Sequence, residues 1–234
     1  MPTIDHANKE ISCKIVYYGP GLCGKTTNLE LIHRDVPGQS KTNLVSLATE
    51  KDRTLFFDFL PVTLGEIKGF KIKFQLYTVP GQVYYNATRK LVLSGVDGVV
   101  FVADSQRSKF RENVDMMENL RENLLEYRIN LDELPLVLQY NKRDLPDIVP
   151  VSELRQALNT RGIPEFEAVA VQGKGVRETL RSIATETLSR VGRRAASTAS
   201  KQKTPPTGTG SRTEPAKPSE QRRSIFKRRS TGNG

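Results

Sequence analysis

Eight consecutive residues, Gly19-Pro20-Gly21-Leu22-Cys23-Gly24-Lys25-Thr26, fit the spacing G-x-x-x-x-G-K-[ST]. Glycines so spaced let the backbone wrap until successive N–H groups point at one anion, and a helix opening at Lys25 adds its positive end. The expected phosphate-binding residues are therefore Gly19, Gly21, Leu22, Cys23, Gly24, Lys25, Thr26 and Thr27. Lys25 would reach the β- and γ-phosphates as a catalytic charge, and the Thr26 hydroxyl would ligate Mg²⁺. About 115 residues further on stands Asn141-Lys142-Arg143-Asp144. A carboxylate at Asp144 can accept hydrogen bonds from guanine N1–H and N2–H₂, which adenine cannot supply. A site built for those donors leaves a buried charge unpaired with the wrong base. Lys142 would lay its aliphatic stem along the base.

These residues need rigid elements to position them, and the hydrophobic pattern supplies an alternation of strands and helices. Strands are expected at Ile11 to Tyr18, Leu55 to Leu60, Phe70 to Tyr77, Gly98 to Ala103, Leu136 to Tyr140 and Phe166 to Val171. Helical patterns cover Thr26 to Arg34, Tyr84 to Ser94, Lys109 to Asn130, Ser152 to Thr160 and Val176 to Arg190. The predicted fold class is α/β: a phosphate-loop, doubly wound, mostly parallel six-stranded sheet with ligands at the carboxyl ends of its strands. The connection Thr63 to Gly69 has no helix, so one edge strand should run antiparallel. Both motifs then fall directly after strands.

The chain of 234 residues carries a formal charge of +10, and 11 basic against 2 acidic residues lie in 191–234, which accounts for +9 of it. The basic character describes a tail, so a nucleic-acid-binding globular domain is not implied. That tail is built from Ser, Thr, Pro, Gly, Lys and Arg and cannot bury enough apolar surface to offset its ordering entropy. The expected organisation is an N-terminal extension over 1–10, one globular domain over 11–190 and a disordered polybasic tail over 191–234. In the tail, Arg222, Arg223, Lys227, Arg228 and Arg229 flank Ile225 and Phe226, a composition suited to an anionic membrane surface. No run approaches the length of a membrane span, no secretory head is visible, and two cysteines make no disulfide framework. The expected compartment is the cytoplasm, with peripheral attachment at the inner face of the membrane through the tail. His6 and His33 are isolated and form no metal or catalytic set.

Val79-Pro80-Gly81-Gln82, after the third strand, resembles the second switch of Ras-like GTPases, where the glycine N–H meets the γ-phosphate and the glutamine orients the attacking water. The body resembles the bacterial small Ras-like GTPases of the MglA type, the gliding-motility and cell-polarity switches. The likeness is close at Tyr18 to Leu29 and at Asp52-Arg53-Thr54-Leu55-Phe56-Phe57-Asp58-Phe59-Leu60-Pro61. The resemblance implies GTP and GDP as ligands with Mg²⁺. It makes Thr54 the first-switch threonine that meets the metal and the γ-phosphate, Arg53 an arginine finger in cis, and Gln82 catalytic. It also implies unknown effectors and an activator built as a Roadblock-domain dimer. Ala170 and Val171 fall where Ras-like proteins contact guanine O6 through the backbone. The acidic residue that Ras-like proteins carry three positions before Gly81 is Thr78 here, with Asp52 and Asp58 as nearby carboxylates of open assignment. A GTP-binding scaffold with negligible hydrolysis, recruited by its tail to membrane or an acidic polymer, is the alternative.

Overall fold

The computed structural model describes residues 2–37, 44–47, 57–67 and 69–201. Arg53, Thr54, Asp52 and the expected strand start at Leu55 lie outside them, as do residues 202–234. Five strands, β2 (Glu10–Tyr18), β5 (Phe70–Thr78), β6 (Gly98–Asp104), β7 (Leu136–Asn141) and β8 (Glu165–Glu167), pair in parallel in the order β5-β2-β6-β7-β8. Outside β5, β4 (Phe57–Ile67) and then β3 (Val45–Leu47) pair antiparallel, and β1 (Thr3–Asp5) pairs antiparallel with β2.

The doubly wound sheet is the one expected, with two strands more than the six expected. β1 and β3 are three residues each, too short for a hydrophobic period. They exist because a neighbouring strand offers hydrogen-bonding partners, Ile4 facing Ile11 and Ser46 facing Asp58. β4 is accordingly covered by β3 rather than left as the edge, and it runs to Ile67 before turning at Gly69, whose φ of +80° suits glycine. At the far edge the expected strand at 166–171 is cut short: Ala168 N–H still bonds Tyr140 O at 2.8 Å, but Ala170–Gln172 form a 3₁₀ turn.

Helices α1 (Lys25–Asp35), α2 (Asn86–Leu93), α3 (Phe110–Glu126), α4 (Val151–Leu158) and α5 (Val176–Lys201) cover the two faces. Alternate residues of β2 sort between them. Val16 and Tyr18 join the layer with α2, α3 and α4, while Cys13, Ile15 and Tyr17 join the layer with α1 and α5. All seven residues of β6 are buried, as a central parallel strand requires. α5 runs to Lys201, eleven residues beyond the expected domain end at Arg190. Ala195, Ala196 and Ala199 favour helix, and no proline intervenes before Pro205. No described helix is long and apolar enough to cross a membrane.

A buried polar cluster ties the sheet to the two helices of one layer. Asn28 Nδ2 donates to Gln139 Oε1 and Gln139 Nε2 donates back to Asn28 Oδ1, both at 2.9 Å, while Gln139 Nε2 also reaches Thr179 Oγ1 at 3.0 Å. Asn28, Gln139 and Thr179 are fully buried, so these bonds join α1, β7 and α5 where water cannot compete.

Candidate nucleotide site

The five parallel strands put their carboxyl ends on one edge, and every described motif residue lies there. After β2 the chain turns through Gly19 (φ +145°) and Gly24 (φ +103°) before entering α1. A Cβ on Gly19 would sit 2.1 Å from Val102 O, and one on Gly24 would sit 2.3 Å from Asn141 Nδ2. Both glycines are thus required by positive φ and by close approach. Gly24 caps α1 with no side-chain hydrogen bond, and the first turn holds no acidic residue. Its N–H groups would therefore meet an anion with no carboxylate of the same turn competing for them. Lys25, 7% exposed, donates from Nζ to Gly19 O at 2.9 Å and Pro20 O at 2.6 Å. These neutral carbonyls hold the ammonium over the loop, ready to exchange for phosphate oxygens. Cys23 is buried behind the loop, and desolvation pushes its thiol pKa up. It packs; it is not an activated thiolate.

At the base end, Asn141 joins two loops. Its Nδ2 donates to Cys23 O at 2.7 Å, and its Oδ1 accepts from Ala170 N at 2.9 Å. Asp144 is exposed at the mouth, free to meet a base edge. Lys142 adopts φ +65°, and its Nζ pairs at 2.6 Å with Asp104 Oδ2, a carboxylate buried at the end of β6. The lysine head is fixed on protein, and its stem is left lying across the cleft. Ala170 is buried and Val171 exposed at the 3₁₀ turn, while Arg143 N bonds Ala168 O at 3.1 Å to close the loops together.

The second-switch turn approaches the phosphate loop backbone to backbone: a Cβ on Gly81 would fall 2.2 Å from Gly21 N. Gln82 is exposed beside it. Its carbonyl accepts from Arg89 Nη1 at 2.6 Å, and Pro80 O accepts from the same nitrogen at 3.3 Å. Arg89 Nε donates to Asn119 Oδ1 at 2.9 Å. Asn119, Asn123, Asn86 and the Tyr18 hydroxyl extend that contact into a network between α2, α3 and the end of β2.

Sequence reasoning left the metal's carboxylate open, and the structure brings Asp58 beside Thr26. Thr26 Oγ1 donates to Asp58 Oδ2 at 2.6 Å, and Thr78 Oγ1 donates to the same oxygen at 2.9 Å. Thr78 Oγ1 also accepts from Asp58 N at 2.8 Å. One carboxylate and one hydroxyl beside a phosphate cradle fit Mg²⁺, a hard ion that takes few protein oxygens and completes its shell with substrate phosphate and water. A carboxylate is thus available beside Thr26 from β4, the strand paired with β5. The sequence hints at it only through an acidic residue inside a strand-like apolar run, which does not say which groups the carboxylate meets.

With both ends of a guanine nucleotide provided for on one sheet edge, the class is that of the small GTPases, enzymes that hydrolyse GTP. The chain belongs to the ADP-ribosylation factor family, whose model matches residues 3–187. Within that family it is of the MglA type: it is 60% identical over 184 residues to the mutual gliding-motility protein MglA of Myxococcus xanthus (strain DK1622), a match covering 79% of this chain and 94% of that protein. It is 26% identical over 182 residues to the Ras-related protein Rab-32C of Dictyostelium discoideum, covering 75% of this chain and 73% of that one.

Proposed function

We propose that this chain is a molecular switch of cell polarity or gliding motility, cycling between GTP and GDP with Mg²⁺ held by Thr26, Asp58 and, from the first switch, Thr54. The name of the Myxococcus xanthus relative supports the setting. The observation that carries the switching reading is the close backbone approach of the second-switch turn to the phosphate loop, where even a Cβ on Gly81 would fall 2.2 Å from Gly21 N. A bound γ-phosphate would displace that turn, and its loss would let the turn return.

Mg²⁺, when bound, would neutralise charge on the β- and γ-phosphate oxygens. Lys25 leaves its loop carbonyls for the same oxygens, and the N–H groups at the head of α1 hold the leaving phosphate. Gln82 positions the water that attacks in line, its backbone held by Arg89. Arg53 adds its charge in cis when the first switch rearranges on a Roadblock-domain activator. Asp58 favours hydrolysis over the inert-scaffold reading, because the carboxylate whose absence motivated that reading is supplied from β4.

Multiple-turnover phosphate release with and without a Roadblock partner tests this. Basal turnover is expected on the order of 10⁻⁴ s⁻¹, with stimulation of roughly 10³-fold or more. Gln82→Leu and Arg53→Ala are expected to keep nucleotide binding and lose the stimulation. Full stimulation of Arg53→Ala would return that residue to the solvated loop.

A further inference from the structure

A groove of about 1190 Å³ opens between the second-switch turn and α3, beside the phosphate loop. Its floor and rim are apolar: Met116 is nearly buried, while Leu22 and Tyr84 are 88% and 94% exposed. One wall is acidic. Glu112, Asp115, Glu118 and Glu122 repeat at intervals of three, three and four, which sets them along one side of α3. The cations lining the groove are Lys109, bound to Glu112 at 2.6 Å, and Arg89, turned inward to Pro80 O and Gln82 O. Four acids and two bases leave the lining at −2. Asp115 and Glu118 also meet Arg111 at 3.0 Å and Arg121 at 3.5 Å, pairs on an open helix surface that exchange readily for a better donor.

The surface calls for a segment with cations around a pair of large apolar side chains, and this chain carries one. Residues 222–229 place five cations about Ile225 and Phe226. They lie beyond the family match, which ends at residue 187, so the segment is an addition to the shared GTPase body. Twenty-one positions separate Lys201, where α5 ends, from Arg222. That length reaches about 70 Å extended, and as a flexible coil it spans about 25 Å on average. It can pass from the α5 face round to the α3 face. A tether makes docking intramolecular and so raises the segment's effective concentration over that of a free peptide.

We propose that residues 222–229 dock in this groove, with their cations on Glu112, Asp115, Glu118 and Glu122 and Phe226 against Met116 and Tyr84. The proposal does not depend on hydrolysis, because docking is scored on the GDP-loaded chain.

Carbodiimide coupling of the full chain, followed by peptide mapping, tests it. The expected product joins Lys227 to Glu118 or Glu122, falls at least tenfold in 0.5 M salt (a Debye length of roughly 4 Å), and is lost in Glu118→Lys/Glu122→Lys. Adding Lys227→Glu to that double variant is expected to restore the link with its polarity reversed, which keeps the test sound should either variant alone lose stability. Links from Lys227 scattered over carboxylates outside α3, or none at all, would overturn the proposal. So would phosphatidylglycerol vesicles sedimenting the full chain when no α3 link forms without them, since the segment would then be a lipid anchor.

Discussion

Replacing Asn141 by alanine separates binding of the nucleotide from recognition of the base. Asn141 is 2% exposed, and its amide makes two bonds to main-chain groups of different loops, Cys23 O at 2.7 Å and Ala170 N at 2.9 Å. Alanine removes both and leaves a carbonyl and an N–H unpaired in a nearly dry corner. Each such group costs about 1–3 kcal/mol, giving about 2–6 kcal/mol together. The removed amide leaves space beside an open cleft, where water can enter and satisfy part of the loss, so the lower end, about 2–3 kcal/mol, is expected. Because the phosphate loop and the guanine loop are the two jaws on the ligand, the loss falls on nucleotide retention, a factor of roughly 30–150. The assay is release of a fluorescent GDP analogue chased with excess unlabelled GDP. The expected result is release faster by that factor, with GTP still preferred over ATP because Asp144 is untouched. Release at the wild-type rate, or an equal loss of base preference, would refute the argument that Asn141 acts as a tie between loops.

Asp144→Asn should do the converse, losing GTP affinity sharply and gaining xanthosine triphosphate in a competition assay, with thermal stability unchanged; equal binding of ATP and GTP by the wild type would undo the guanine assignment. Asp58→Asn replaces two charge-assisted hydroxyl bonds by neutral ones, at about 1 kcal/mol each, and raises the Mg²⁺ concentration needed for tight GDP retention at least tenfold. The swap Asp58→Thr/Thr78→Asp puts the carboxylate on the other member of the same hydrogen-bonded pair and is expected to recover most of that loss in a magnesium titration. Arg89→Ala removes the guanidinium bonds to the Gln82 and Pro80 carbonyls and to Asn119; kcat for stimulated hydrolysis should fall tenfold or more at unchanged GTP affinity, and an unaltered kcat would show that the turn holds its shape without the guanidinium.

The site was legible in the sequence wherever its function is local. A phosphate-loop pattern is one contiguous turn, so the place of Gly19 to Thr26 between β2 and α1 could be read from spacing alone, and that of Asn141 and Asp144 from a strand end. Asp58 was not legible, because its partners Thr26 and Thr78 are 32 and 20 residues away and only the pairing of β4 with β5 brings them together. The Asn28–Gln139 pair was hidden for the same reason: each residue by itself reads as an ordinary polar side chain. In the fold, β5 and β6 announce themselves by alternation or by an unbroken apolar run. β1 and β3 owe their existence to a neighbour's edge, and the last turns of α5 to alanines in a stretch whose overall composition reads as tail.

The reciprocal amide clasp between Asn28 and Gln139 has a mechanical consequence. It grips α1 in its first turn, within three residues of Lys25, and fastens it to the inner strand β7 and, through Thr179, to α5. Sliding α1 along the sheet would break both reciprocal amide bonds in a place water cannot reach. The phosphate loop at the head of that helix is therefore the anvil of the device, immobile by construction. Against it Gly81 is the hammer, carried on a turn held at its back by the single guanidinium group of Arg89. Differences between nucleotide states should accordingly register as travel of residues 80–85 against a stationary α1, and a probe placed on α1 should stay silent throughout the cycle.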